Sequence, residues 1–293
     1  MTPAIEIRSL TKHFPKFHLG PLDMTVPSGA IYGLIGPNGS GKTTTFDLLM
    51  RMGAKSGGAI SVFGLDHLAE EAEVKQRIGY VSPEMKFHSW KKISRLIGFV
   101  KGFYPNWDER YCADLLSRFQ LNWDDRIGTL SFGNKIKLNL VVALSHHPDL
   151  LLLDEPTLGV DAVAKQEIYT ELLKAVQEEN RTVVIASHSL SDLERFTDHL
   201  GILHEGKMLL EGPTSELIER YRWADFETPA TFAPKTETGF VVREREGSRC
   251  RALLDLFTKG EDWLSGQGVT HLTLTPTTLE DLFVTLVQGG IRG

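Results

Sequence analysis

Residues Ile31 to Arg51 read IYGLIGPNGSGKTTTFDLLMR: an apolar run, a glycine-rich segment and a helical pattern in immediate succession. The run IYGLI is continuous rather than alternating, as expected of a strand buried on both faces of a parallel sheet. GPNGSGKT, Gly36 to Thr43, fits GxxxxGK[ST] and stands between that strand and the helix, the context the pattern requires. Gly36, Gly39 and Gly41 let successive backbone N–H groups turn inward on an anion, with Pro37, Asn38 and Ser40 completing the loop. The helix N-terminus at Lys42 to Thr44 adds a favourable dipole. In such a loop the lysine, Lys42, reaches the outer phosphates and the Thr43 hydroxyl ligates Mg²⁺. A nucleoside triphosphate is the expected anion.

Two further apolar runs, LLLLD (Leu150 to Asp154) and TVVIAS (Thr182 to Ser187), are equally continuous and are followed by helical patterns. After Asp161, residues Ala164, Ile168, Leu172 and Val176 recur at every fourth position and give a stripe for packing on a sheet. Helices on a parallel sheet are therefore the expected core. In such a sheet ligands sit at the carboxyl ends of strands, where Asp154 and Glu155 emerge. Adjacent residues of an extended chain point opposite ways, so the two carboxylates need not share a role. Asp154 would hold Mg²⁺ directly or through water, and Glu155 would polarise the attacking water as general base. His188, directly after TVVIAS, would touch the terminal phosphate or that water.

The remaining composition bounds the alternatives. The 293 residues are 41% hydrophobic and 24% charged, which suits a globular chain, and the net charge of −6 disfavours non-specific binding of nucleic acid. Cys112 and Cys250 have no metal-ligand spacing and read as reduced thiols. The first residues lack a signal-peptide pattern, and no run approaches the roughly 18 apolar residues of a membrane span. A cytosolic or peripherally attached chain is expected. Between Glu84 and Leu130 the pattern turns mainly helical, with Asn106 and Glu109 spaced as a variant capping box. The stretch WADFETPATFAPKTET, Trp223 to Thr238, has neither helical nor strand periodicity and reads as a linker after a boundary near Tyr221.

LSFGN, Leu130 to Asn134, opens the apolar-periodic helix FGNKIKLNLVVAL, with Ser131 as an excellent N-cap. Together these pieces resemble the nucleotide-binding subunit of an ABC transporter, over residues 1 to about 220. The resemblance implies a P-loop α/β fold of ABC type with a mainly parallel core sheet, N-terminal antiparallel strands, a helical subdomain at about 84–147 and a small C-terminal α+β tail. The implied domains are 1–221 and 222–293. In that family a signature of the type LSGGQ contacts the triphosphate held by the opposing subunit, so two chains sandwich two ATP molecules. Ser131 and Gly133 keep the hydroxyl and the close approach, whereas Phe132 and Asn134 depart from the usual Gly and Gln.

The resemblance places Phe14, in LTKHF, where an aromatic ring stacks on adenine, and Asp161, in LGVD, in the loop that communicates across the dimer. In IGYVSPEM, Pro83 stands where the family usually has Gln, and Glu84 would inherit the link between metal site and membrane partner. Thr278 to Phe283, within HLTLTPTTLEDLFVTLV, is similar to the SLEDxF ending of bacterial exporter ATPases whose permease is a separate chain. The implied protein is an ATPase that uses ATP and Mg²⁺, pairs with a second ATP-binding subunit and drives a transmembrane permease, peripherally at the cytoplasmic face. The face that receives the permease would lie in residues 84 to 104 and FYPNWDER. A soluble ABC ATPase acting on nucleic acid or the ribosome is the competing class, for which a second nucleotide unit, a coiled-coil insertion or a basic arm is expected. A small-molecule kinase would have no reason to contain LSFGN and Asp161.

Overall fold

A computed structural model describes residues 2–85, 87–194, 196–229 and 232–289. The chain opens with the hairpin β1 (Ile5–Phe14) and β2 (Phe17–Val26), then runs β3 (Ile31–Ile35), α1 (Lys42–Leu49), β4 (Gly57–Val62), β5 (Leu65–Asp66), α2 (Glu71–Gln76) and β6 (Ile78–Val81). A mainly helical stretch follows, with α3 (Ile93–Val100), α4 (Glu109–Arg118) and α5 (Phe132–Leu144). The chain then returns through β7 (Leu150–Asp154), α6 (Ala162–Glu179), β8 (Thr182–Ser187), α7 (Leu190–Leu193), β9 (His199–His204), β10 (Lys207–Pro213) and α8 (Thr214–Arg220). The tail holds β11 (Tyr221–Glu227), β12 (Phe240–Glu246), β13 (Arg249–Asp255), α9 (Gly260–Ser265), β14 (Thr270–Pro276) and α10 (Leu279–Gly289).

The core sheet has the order β10-β9-β3-β8-β7-β6, parallel except for the edge pair β9–β10. Every residue of β3, β7 and β8 is buried, which is what continuous apolar runs require. Ile31 and Ile35 join one core with α5 and α6, while Tyr32 and Leu34 join another with Phe46 of α1 and the N-terminal sheet. That antiparallel sheet has the order β2-β1-β4-β5. Because β8 lies between β3 and β7, the three loops that leave their carboxyl ends emerge side by side.

Two sequence expectations need correction. The stretch taken as an unperiodic linker begins with β11, an inner strand of the tail sheet, whose order is β12-β13-β11-β14. Its pattern is hidden because its alternate residues serve different cores: Tyr221 and Trp223 pack with the main core, Ala224 and Phe226 with the tail's own. The cap of α4 is Asp108 rather than Asn106, since the Asp108 carboxylate accepts from the Arg110 and Tyr111 N–H groups. At α10 the hydroxyl of Thr278 accepts from the Asp281 N–H at 3.1 Å.

His146, just beyond α5, is 3% exposed, stacks on Tyr104 at 3.9 Å between ring centroids, and has Nε2 3.3 Å from the Ile78 carbonyl oxygen. Burial pushes its pKa down to about 4 from the ordinary 6.5. The unfolded chain thus accepts a proton that the fold excludes, so this contribution to stability is intact above pH 6.5 and is lost progressively as pH falls towards 4. We expect the loss of unfolding free energy between pH 7 and pH 5 to shrink by about 2 kcal/mol in His146→Phe, measured by urea denaturation. An unchanged difference would contradict the burial argument.

Candidate functional site

The loop from Gly36 to Thr43 closes between β3 and α1 because its glycines allow what other residues do not. Gly41 has φ 111°, and a Cβ there would stand 2.7 Å from Leu19 Cδ1 and 3.1 Å from Phe17 Cζ. A side chain at Gly36 would collide with the Leu203 carbonyl. α1 begins without a side-chain cap, so its first N–H groups remain available to an anion.

Lys42 is 5% exposed, and its Nζ donates to the Gly36 carbonyl at 2.7 Å and more weakly to that of Pro37 at 3.3 Å. Its third neighbour is Glu155, with Oε1 3.5 Å from Nζ. Desolvation lowers the Lys42 pKa, and the Glu155 carboxylate opposes that shift. Glu155 sits at φ 45°, a left-handed conformation that turns the chain just past β7. Its Oε2 lies 2.9 Å from Nδ1 of His188, so a neutral imidazole donates from Nδ1 and leaves Nε2 as acceptor. Glu155 thereby links the ends of β7 and β8 to the lysine.

Asp154 takes a different partner. Its Oδ2 accepts from the Thr43 hydroxyl at 2.8 Å, while its Oδ1 is buried without a partner. Desolvation raises its pKa, with the Thr43 hydrogen bond acting against it. The two carboxylates thus contact successive residues of the loop, Asp154 on Thr43 and Glu155 on Lys42. Thr44 is half-buried beside them, and Thr45 closes its own turn on the Gly41 carbonyl.

Glu84 is exposed, with its N–H on the Ser82 hydroxyl at 3.2 Å, and its charge reaches Asp47 and Tyr80. Sequence reasoning passed over these two residues. Asp47, one turn beyond Thr43 on α1, has its pKa raised by desolvation and by Glu84, and adds to the field on Asp154. Burial pushes the Tyr80 hydroxyl up to about 12. The four-residue spacing from Thr43 to Asp47 was the available signal.

Ser131 caps α5 by accepting the Asn134 N–H at 3.2 Å, and Asp161 caps α6 by accepting those of Val163 and Ala164, both at 3.0 Å. Gly133 is buried against the α6 side, where a Cβ would lie 3.5 Å from that of Ala164. Phe132 is 42% exposed and faces Gly159. Among the described residues no hydrogen bond joins Ser131–Asn134 to Gly36–Thr43. Phe14, at the hairpin end of β1, is 40% exposed rather than buried in a core, 6.3 Å from the Phe17 ring.

A family model described as ABC transporter matches residues 19–158. The bacitracin transport ATP-binding protein BcrA of Bacillus licheniformis is 31% identical, over 100% of this chain and 100% of that protein. The Nod factor export ATP-binding protein I of Neorhizobium galegae is 33% identical, over 74% of this chain and 64% of its own. A solved ATP binding subunit of an ABC transporter superposes with a TM-score of 0.68 at 24% identity, covering 74% of this chain and 92% of that one, and shows the fold.

The buried, half-satisfied Asp154 carboxylate carries a stability cost. A carboxyl whose folded pKa is raised weakens the fold as pH climbs past its unfolded value of 3.8. Asp154→Asn retains an acceptor for Thr43 and removes the charge, so the ligand-free variant is expected to melt at a higher temperature at pH 7. Calorimetry of both proteins checks this, and a lower melting temperature for the variant contradicts it.

Proposed function

The chain belongs to the ABC transporter family of ATP-binding proteins, and from that premise we propose that it hydrolyses ATP as one of two identical motor subunits of an exporter whose transmembrane permease is a separate chain. The observation that carries this reading is the run of contacts from Lys42 through Glu155 to His188, beside the separate pair Thr43–Asp154. Phosphates entering the loop meet a desolvated ammonium and the uncapped N-terminus of α1, both of which favour anions. An outer phosphate competes with Glu155 for Lys42 and frees a carboxylate oxygen. Held by His188 through its other oxygen, Glu155 is oriented to take the proton of an attacking water.

The residues also fit Mg²⁺. Thr43 Oγ1 and the unpartnered Asp154 Oδ1 are the oxygens that would hold it. No group of three or more His, Cys, Asp or Glu suited to a metal occurs among the described residues, but Mg²⁺ in phosphate sites keeps several waters and needs only one or two carboxylates. Bound there, it would supply neutralising charge to the outer phosphates.

Among the described residues no hydrogen bond ties Ser131–Asn134 to the chain's own phosphate loop, and the α5 N-terminus would serve the nucleotide of an opposing chain in a sandwich dimer. Phe14 would stack on the base. The loop after β6 supports a permease contact: Pro83, Met85 and Phe87 line, with Phe132, Ile136 and Asn139, a cavity of about 180 Å³. Beside it Trp90 stacks on Phe99 at 4.3 Å, and Phe99 meets Phe103 edge-on at 5.0 Å, an aromatic ridge open to solvent. No helix among the described residues is long and apolar enough to cross a membrane, so attachment at the cytoplasmic face would come through the permease. The names of the two relatives support transport, and one of them export.

Glu155→Gln is expected to retain ATP binding and to slow turnover by roughly 10²–10⁴. Steady-state hydrolysis and equilibrium binding on one preparation test it, and unchanged turnover removes Glu155 from the chemistry. In that background, pairing a Lys42→Ala chain with a Ser131→Arg chain leaves one site with both halves intact if sites are shared. Doubly tagged mixed dimers should then trap about one ATP each, whereas sites built within single chains would trap none. In reconstituted vesicles, Glu84→Ala should weaken stimulation by the permease more than basal hydrolysis. An unchanged ratio of the two rates would end the coupling assignment.

A further inference from the structure

The tip of the first hairpin reads HFPKFH, His13 to His18, a palindrome of side chains about the turn Pro15–Lys16. Pairing of β1 with β2 sets Phe14 opposite Phe17 and His13 opposite His18. Successive residues of a strand point to opposite faces, so the two phenylalanines share one face and the two histidines the other. Phe17 leans on Gly41 of the phosphate loop, whereas both imidazoles are exposed to solvent. Their Nδ1 atoms lie 2.9 Å apart, with ring centroids at 5.1 Å and planes at 65°. Among the described residues neither ring has another hydrogen-bond partner.

We propose that His13 and His18 form a two-imidazole site for a divalent transition-metal ion, held on the face of the hairpin that turns away from the phosphate loop. Two imidazoles that face each other across a paired register are preorganised, and for both Nδ1 atoms to ligate, the ring that donates the hydrogen bond between them moves its proton to Nε2 or loses it. Metal–imidazole bonds of about 2.0–2.1 Å at right angles place adjacent donor nitrogens about 2.9 Å apart. The two nitrogens, now joined by a hydrogen bond, already stand as close as two neighbouring donors on one ion, and among divalent ions imidazole pairs bind Ni²⁺ and Cu²⁺ strongly. Binding requires each ring to tilt its lone pair towards a common point, which exposure permits. No third His, Cys, Asp or Glu completes a cluster among the described residues, so water fills the other positions. The bound ion would clip β1 to β2 back to back with Phe14 and Phe17, stiffening the edge that, on the reading proposed above, receives the base.

The test uses the full-length chain without an affinity tag and without nucleotide, so its outcome does not depend on the ATP reading. Ni²⁺ is titrated by calorimetry into the natural protein, His13→Ala, His18→Ala and the double variant, with hydrogen exchange followed at the hairpin amides. One equivalent is expected to bind at least about tenfold more tightly to the natural protein than to any variant. Ni²⁺ should also slow exchange at the tip in the natural protein only. Both substitutions lie on an exposed turn, and the metal-free exchange pattern of the remaining chain shows that each variant is folded. Equal affinities across the four proteins, or binding that leaves the tip's exchange unchanged, overturns the proposal.

Discussion

Lys42 holds a positive charge almost out of water, and the arrangement at the carboxyl end of the core sheet follows from that constraint. Desolvation depresses its pKa, and the oxygens around it oppose that: two loop carbonyls accept from the ammonium and the Glu155 carboxylate lies beside it. Those oxygens come from two strands that are not adjacent, since the loop leaves β3 and Glu155 leaves β7, with β8 between them. A parallel sheet brings their ends together without any local sequence signal linking residues over a hundred positions apart. The surrounding apolar strands then serve an electrostatic purpose. They keep the dielectric low, which strengthens the attraction of the site for phosphate and raises the penalty for leaving any of its charges alone.

Much of this was legible where a residue answers to one environment. IYGLI, LLLLD and TVVIAS are strands to the residue because both of their faces are buried, and FGNKIKLNLVVAL is a helix to the residue because Ser131 caps it. The reading weakened where one segment serves two environments. β11 divides its side chains between two cores, so neither period survives in its sequence. Local capping failed in a related way: Asn106 and Glu109 have suitable spacing, but Asp108 is closer to the helix start and wins two N–H groups.

The site showed the same division. Asp154, Glu155, Lys42 and Thr43 carry signals in their immediate neighbours, and the structure brings them into one cluster. Asp47 and Tyr80 do not, because their involvement is electrostatic and arises from which helix and strand happen to face Glu84 and Asp154. The pair His13–His18 shows an intermediate case. The palindrome HFPKFH was visible in the sequence, but only the observed register sets like opposite like.

The polar contact between α5 and the loop after β6 joins the two halves of the proposed cycle. Asn139 is buried within α5 and donates through Nδ2 to the Ser82 carbonyl at 3.3 Å. Ser82 in turn accepts from the Glu84 N–H, so the segment that reaches towards Asp47 is tied to the helix whose N-terminus is Ser131. An α-helix is stiff over the eight residues that separate Ser131 from Asn139, a span of about 12 Å. Movement of one end is therefore delivered to the other with little loss. A force applied at Ser131 by nucleotide on an opposing chain would reach Glu84 through the buried Asn139 amide and the side chains of α5 beside it, whereas the route through the core sheet would require shifting strands packed on both faces. That difference in stiffness is why coupling is expected to run along α5 and the loop after β6 rather than through the sheet that holds the chemistry.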